Sequence, residues 1–181
     1  EGSLPVIVAD YMFLGTSLQV CLEVAAKATC MTMADVNSQS CICIPCPKGK
    51  GPRDKYSVGE AVYFISDLGY DRCVLFTDGE NPIVSWAESV KECFSKNLIL
   101  RQAPRRSSQS MGAIGSCQKQ IQGQIRTLKL VIEDKYHVDV TSDSTLFPWI
   151  VRHAAWSISR CHYRANGQTS YQMVNGVAYH G

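Results

Sequence analysis

Two aspartates stand out for the company they keep. Asp10 sits near the middle of the apolar run LPVIVADYMFL (residues 4–14), and Asp78 ends the run RCVLFTD (residues 72–78). Carboxylates are rarely placed among so many aliphatic neighbours. If the two runs are paired strands, both groups lie side by side at one edge of a sheet. Two such charges repel and call for a proton or a cation between them. Hard oxygen donors suit magnesium or manganese. Two-ion phosphoryl transfer uses this arrangement, with one ion on the attacking oxygen and one on the leaving oxygen. The plain alternative is that each aspartate only caps a turn.

The elements that must position these groups are legible from periodicity. Residues 4–14 read as a central strand, from length and β-branched content. Residues 18–25 and 30–36 read as two further strands joined as a hairpin, which makes an antiparallel meander. Ser57 and Glu60, three apart, predict a capping box opening a helix that ends at Gly69. Residues 72–78 are a fourth strand. Pro82 starts a second helix with Ile83, Trp86, Val90 and Phe94 facing the core. Residues 97–101 (NLILR) are a fifth strand. The longest periodic segment follows, residues 105–136, and predicts one long helix. Its apolar stripe is Met111, Ile114, Ile121, Ile125, Leu128 and Ile132. A polar stripe carries Lys119, Gln122, Arg126, Lys129 and Glu133, and traced back one turn it begins at Gly115. A glycine there costs about 1 kcal/mol against alanine. A further helix is expected over residues 146–162. The meander followed by βαβ crossovers is an α/β fold with a mixed five-stranded sheet flanked by helices in three layers.

Bulk properties bound the rest. The 181 residues, 45% hydrophobic and 19% charged, suffice for one cored domain, with a net charge of only +2. That charge argues for no nucleic-acid partner by itself, so any basic surface must be local. The loop of residues 46–55 (CPKGKGPRDK) is one such place, with Lys48, Lys50, Arg53 and Lys55 able to face phosphates or simply water. The nine cysteines are odd in number, and several sit in apolar runs. Buried free thiols in a reducing, intracellular compartment are the plainer reading. The segment CICIPC (Cys41, Cys43, Cys46) looks metal-like but lacks the second knuckle of a zinc site. No run approaches the roughly 20 apolar residues that span a bilayer. The opening Glu1 shows neither initiating Met nor signal peptide, which reads as a segment of something longer.

The order of these features resembles the retroviral-type integrase catalytic core, of the RNase H-like superfamily, and is most similar to its copia-type retrotransposon branch. VADYMFLG places the first acid of the Asp-Asp-Glu set at Asp10, and VLFTDGE places the second at Asp78. The third motif, Ser-x-Gly-x-x-Glu in the family, reads Ser110-Met111-Gly112-Ala113-Ile114-Gly115. The glutamate position thus falls on Gly115, and Met111 stands where the family has Asn. Thirty-six residues separate Asp78 from Gly115, in keeping with the family spacing. QGQIRTLK, LFPWIVRHAAWSISR and GQTSYQMVNG extend the resemblance over roughly residues 5–176. No one of these motifs is highly specific; their order and spacing carry the likeness.

The resemblance implies metal-assisted transesterification of DNA, with Asp10 as bridging ligand and Asp78 as ligand to one Mg²⁺ or Mn²⁺. With Gly115 in the third position, metal binding is expected to be weak or lost and strand joining impaired. Lys119 and Gln122 would point towards the transposon end, with Arg126 and Lys129 continuing the stripe and Arg101, Arg105 and Arg106 preceding the helix. DNA, both transposon end and target, is the implied partner. A homodimer through the region of Trp149 and Trp156, and a nuclear location, are implied likewise. His153 and His162 read as packing or rim residues. The expected organisation is a core domain over residues 1–163 and a tail over 164–181. The competing function is a non-enzymatic RNase H-like module for nucleic-acid or protein contacts. A cysteine-based metal or redox protein is a third, resting on CICIPC alone.

Overall fold

The computed structural model describes residues 3–14, 28–52, 55–103 and 112–181. Its centre is β1 (Val6–Leu14). On one side β1 pairs antiparallel with β2 (Ala28–Asp35), which pairs antiparallel with β3 (Cys41–Pro45). On the other side β4 (Arg72–Thr77) runs parallel to β1, and β5 (Asn97–Gln102) parallel to β4. The sheet order is β3-β2-β1-β4-β5. Parallel neighbours need crossovers, and helices supply them. α1 (Lys55–Asp67) precedes β4, and α2 (Asn81–Cys93) joins β4 to β5. Then come α3 (Gly112–Tyr136), α4 (Phe147–Cys161) and the short α5 (Ser170–Asn175).

Strand alternation divides the core into two layers. Ile7, Ala9 and Tyr11 of β1 pack with Ile65 of α1 and with Ile83 and Trp86 of α2. Val8 and Met12 face the other way, towards Ile114, Ile121 and Ile125 of α3 and Ile150 and Ala154 of α4. Asp10 shares the parity of Val8 and Met12, so it belongs to the α3 side.

The structure corrects the sequence expectations at several points. The third strand of the meander is Cys41–Pro45, the cysteine run itself; residues 18–25 lie outside the described residues. Cys41 and Cys43 are buried on the α3–α4 side and Cys46 on the α1–α2 side, so the three thiols do not converge on one ion. Ser57 is not a helix cap. α1 begins at Lys55, and Ser57 is buried inside its first turn. Glu60 instead pairs with Arg152 of α4 at 2.6 Å. The helix does run out at Gly69, whose φ of +76° suits a residue without a Cβ. Trp149 and Trp156, named for the expected dimer region, are both exposed.

β3 is an edge strand, and a side chain takes up the outward backbone groups of its first residue. The Ser159 hydroxyl of α4 accepts from the Cys41 N–H at 3.0 Å and donates to the Cys41 carbonyl at 3.1 Å. Beyond α4 the tail is tied down by Arg164, which donates to the Gln39 carbonyl at 2.9 Å and to Ser170 Oγ. Thr169 caps α5 by accepting from the Gln172 N–H at 3.1 Å.

Candidate functional site

Asp10 and Asp78 come together as their strands pair. In the β1–β4 register Ala9 faces Thr77, and each aspartate is the next residue along. Burial raises the Asp10 pKa above the usual carboxylate value, and the Asp78 charge raises it further. The Tyr11 N–H, donating to Asp10 Oδ1 at 2.7 Å, works the other way, and Glu80 adds a smaller upward push. Two carboxylates in each other's field is the situation that invites a cation or a proton. Asp78 also accepts from the Glu80 N–H at 3.2 Å, so it holds the β4–α2 turn as well as facing Asp10.

The third wall is α3. Its residue Gln118 turns its amide towards Asp10 and slightly offsets the rise in pKa. The Gln118 Nε2 is buried and meets no acceptor in full hydrogen-bond geometry, so this contact is looser than a formed bond. Gly115 lies about one turn before Gln118 on the helix. A Cβ built on Gly115 would meet nothing within 4 Å. The position therefore has ordinary helical backbone and open space for a side chain. Met111, the other departure in the motif, falls outside the described residues, as do Arg105 and Arg106.

Among the described residues no group of three His, Cys, Asp or Glu side chains is placed to hold an ion. The nearby Glu80 is engaged with Lys50 at 2.5 Å. Lys50 in turn lies over the rings of Tyr11 and Phe13, 5.3 and 5.1 Å from their centroids. Glu133, the next acid along the polar stripe of α3, accepts from the Val140 N–H and pairs with Lys129 at 3.5 Å. Asp10 and Asp78 supply two hard ligands where a pair of ions would need a third, so the donor set does not fit a two-ion site.

The polar stripe on α3 is real. Lys119 and Arg126 are exposed, Gln122 and Lys129 half-buried, and the spacing of three and four keeps them on one face. The pairing with Glu133 reduces what Lys129 offers to a phosphate. Gln118 is the residue that sequence reading missed. It stands three residues after Gly115, about one turn along the helix, where an amide is indistinguishable in sequence from its solvated neighbours.

Sequence comparison is silent: no model of a known protein family matches the chain, and no curated protein does. Structure comparison is not. The HTLV-2 integrase catalytic core domain, in a complex with magnesium, superposes with a TM-score of 0.66 at 14% identity, covering 97% of this chain and 100% of that one. The simian T-cell lymphotropic virus intasome, in complex with PP2A regulatory subunit B56 gamma, gives 0.69 at 13% identity, over 99% of this chain and 58% of the other. The BIV integrase catalytic core gives 0.58 at 11%, over 93% and 92%. The fold is that of a retroviral integrase catalytic core. In this integrase-core fold the adjacent inner strands β1 and β4 carry the two aspartates side by side, and α3 crosses beside them.

Proposed function

We propose that the chain is an integrase-like core of the copia-type retrotransposon kind, which keeps a DNA-facing scaffold and has lost efficient polynucleotidyl transfer. The observation that carries this is the pairing of Asp10 and Asp78 beside α3, where Gln118 nears Asp10 and Gly115, about one turn earlier, has open space at its Cβ. In this reading Asp10 and Asp78 are the surviving ligands for Mg²⁺ or Mn²⁺, and the missing carboxylate leaves any cation weakly held. Lys119, Gln122 and Arg126 would contact the DNA backbone, with Arg105 and Arg106 adding charge ahead of the helix.

A strand-transfer assay with Mg²⁺ and with Mn²⁺, run on the chain and on Gly115→Glu, tests the reading. The parent chain should be inactive, and metal binding should tighten in the variant, because the open space lets the new carboxylate reach the pair. Strand transfer by the parent chain would sink the claim of lost catalysis. The same glycine also favours a second reading, a non-enzymatic module that uses the fold for binding alone. In that case Gly115→Glu gains neither metal affinity nor activity, while nucleic-acid or protein binding is unchanged.

A further inference from the structure

Away from the carboxylates, two thiols from distant parts of the chain meet where α3 crosses the β3 edge of the sheet. Cys41 is the first residue of β3, and Cys117 lies in the second turn of α3. The buried Cys41 thiol donates to the Ala155 carbonyl at 3.8 Å and stands in hydrogen-bond contact with the Cys117 thiol. Cys117 is only half-buried, because it also lines a cavity of about 210 Å³ between α3, the β2–β3 turn and the tail. Ala34, which pairs with Cys41 across β2 and β3, lies on the wall of the same cavity.

A cation stands over the pair. The Arg164 guanidinium lines the cavity and bonds the Gln39 carbonyl at 2.9 Å, Ser170 Oγ at 3.0 Å and Gln120 Oε1 at 3.4 Å, all of them neutral. Asp35 lines the cavity too, but its carboxylate accepts from the Ser38 N–H and hydroxyl and from Tyr70. Among the described residues no carboxylate pairs with Arg164. The Cys117 thiol lowers the Cys41 pKa against the effect of burial, and Ser159 and Arg164 lower it further. Cys41 and burial raise the Cys117 pKa, which Arg164 partly offsets. One proton is thus held between two sulfurs beside a positive charge, a setting that makes a thiolate reactive. Cys30 and Cys43 also touch, but both are buried, and the Cys30 thiol and burial push the Cys43 pKa well up. That second pair behaves as buried thiols ordinarily do, as small hydrophobes.

We infer that Cys41 and Cys117 are a site of oxidative modification, which hydrogen peroxide entering the cavity closes to a disulfide between β3 and α3. The Cys117 sulfur, as thiolate, attacks one peroxide oxygen. The O–O bond breaks, and the hydroxide released takes the proton lost by that thiol and leaves as water. The Cys41 sulfur then attacks the sulfenyl sulfur of Cys117, the S–O bond breaks, and the departing hydroxide leaves with the Cys41 proton as a second water. The two thiols give up two electrons and two protons, and the peroxide takes both. The product ties the helix that carries Gln118 to the edge strand. It does not depend on the metal chemistry of Asp10 and Asp78 or on the Lys119–Arg126 stripe.

Peptide mapping tests the inference. The folded chain is treated with a small excess of hydrogen peroxide, alkylated in denaturant and digested without reductant. Mass spectrometry should then find Cys41 joined to Cys117, a link that dithiothreitol removes, with Cys30 and Cys43 recovered alkylated. Cys41→Ser and Cys117→Ser should each lose the link. Because the disulfide closes a long loop in the unfolded chain, peroxide should also shift the unfolding midpoint of the parent chain to higher denaturant, and that of Cys117→Ser should not move. Cys117 recovered as a sulfinic acid or joined to another cysteine overturns the inference. So does a free Cys117 when the exposed Cys93 and Cys161 have already been oxidised. A link that forms only after the chain is unfolded overturns it too, since the folded contact would then be idle. The parent chain alone decides between these results, so a serine variant that fails to fold leaves the test standing.

Discussion

At the scale of single residues, Asp10 ties stability to pH. Burial and the Asp78 charge raise its pKa, so the native state holds the proton more tightly than the unfolded chain. Its contribution to stability is therefore complete below the ordinary carboxylate pKa and is lost as pH rises through the raised value. Asp10→Asn, which mimics the protonated group, should raise the melting temperature at neutral pH. That advantage should shrink towards zero in acid, and a pH series of thermal melts would show it. Gly115 gives the matching backbone prediction. With helical backbone and nothing within 4 Å of its Cβ position, Gly115→Ala should stabilise the chain by about 1 kcal/mol in denaturant titration. A loss of stability would mean that the position is crowded after all. Asp10 and Asp78 could be picked out from sequence because carboxylates in apolar strands are conspicuous. Gln118 could not, because an amide on a polar helix looks like any solvated side chain until the sheet beneath it is placed.

At the scale of elements, α3 does two jobs on two faces. Ile121, fully buried, packs against the sheet, and Ile121→Ala should cost about 2–5 kcal/mol. The opposite stripe faces solvent. If it contacts duplex DNA, Lys119→Gln and Arg126→Gln should each weaken binding and reduce the salt slope by about one. Lys129→Gln should do less, since its charge is shared with Glu133. The long helix and the Pro-started α2 were readable because periodicity over several turns is hard to imitate. The meander was read with its third strand in the wrong place. CICIP alternates only aliphatic and sulfur side chains, so the composition that makes it a strand buried on both sides also suggested metal ligands. The supposed capping box failed for a related reason. A Ser and a Glu three apart mark a helix start only when the serine is the N-cap just before the first helical residue, and here the helix has already begun at Lys55 and Glu60 is taken by Arg152.

At the scale of the whole molecule, two helical layers enclose a five-stranded sheet with one edge at β3 and the other at β5. The order of strands followed from the order of elements, since successive antiparallel strands pair as a meander and crossovers run parallel. What covers each edge did not follow, because it depends on which side chain a distant helix brings up. At β3 that side chain is Ser159, which takes both backbone groups of Cys41. An open edge strand is a template on which another chain can add a strand. One hydroxyl here acts as a stopper, and it leaves copies of the protein no free Cys41 amide or carbonyl to extend. Ser159→Ala should therefore do more than lose about 1–3 kcal/mol of buried hydrogen bonding. Light scattering of the variant should rise over time at temperatures where both proteins remain folded, because the sheet would have regained a place to grow.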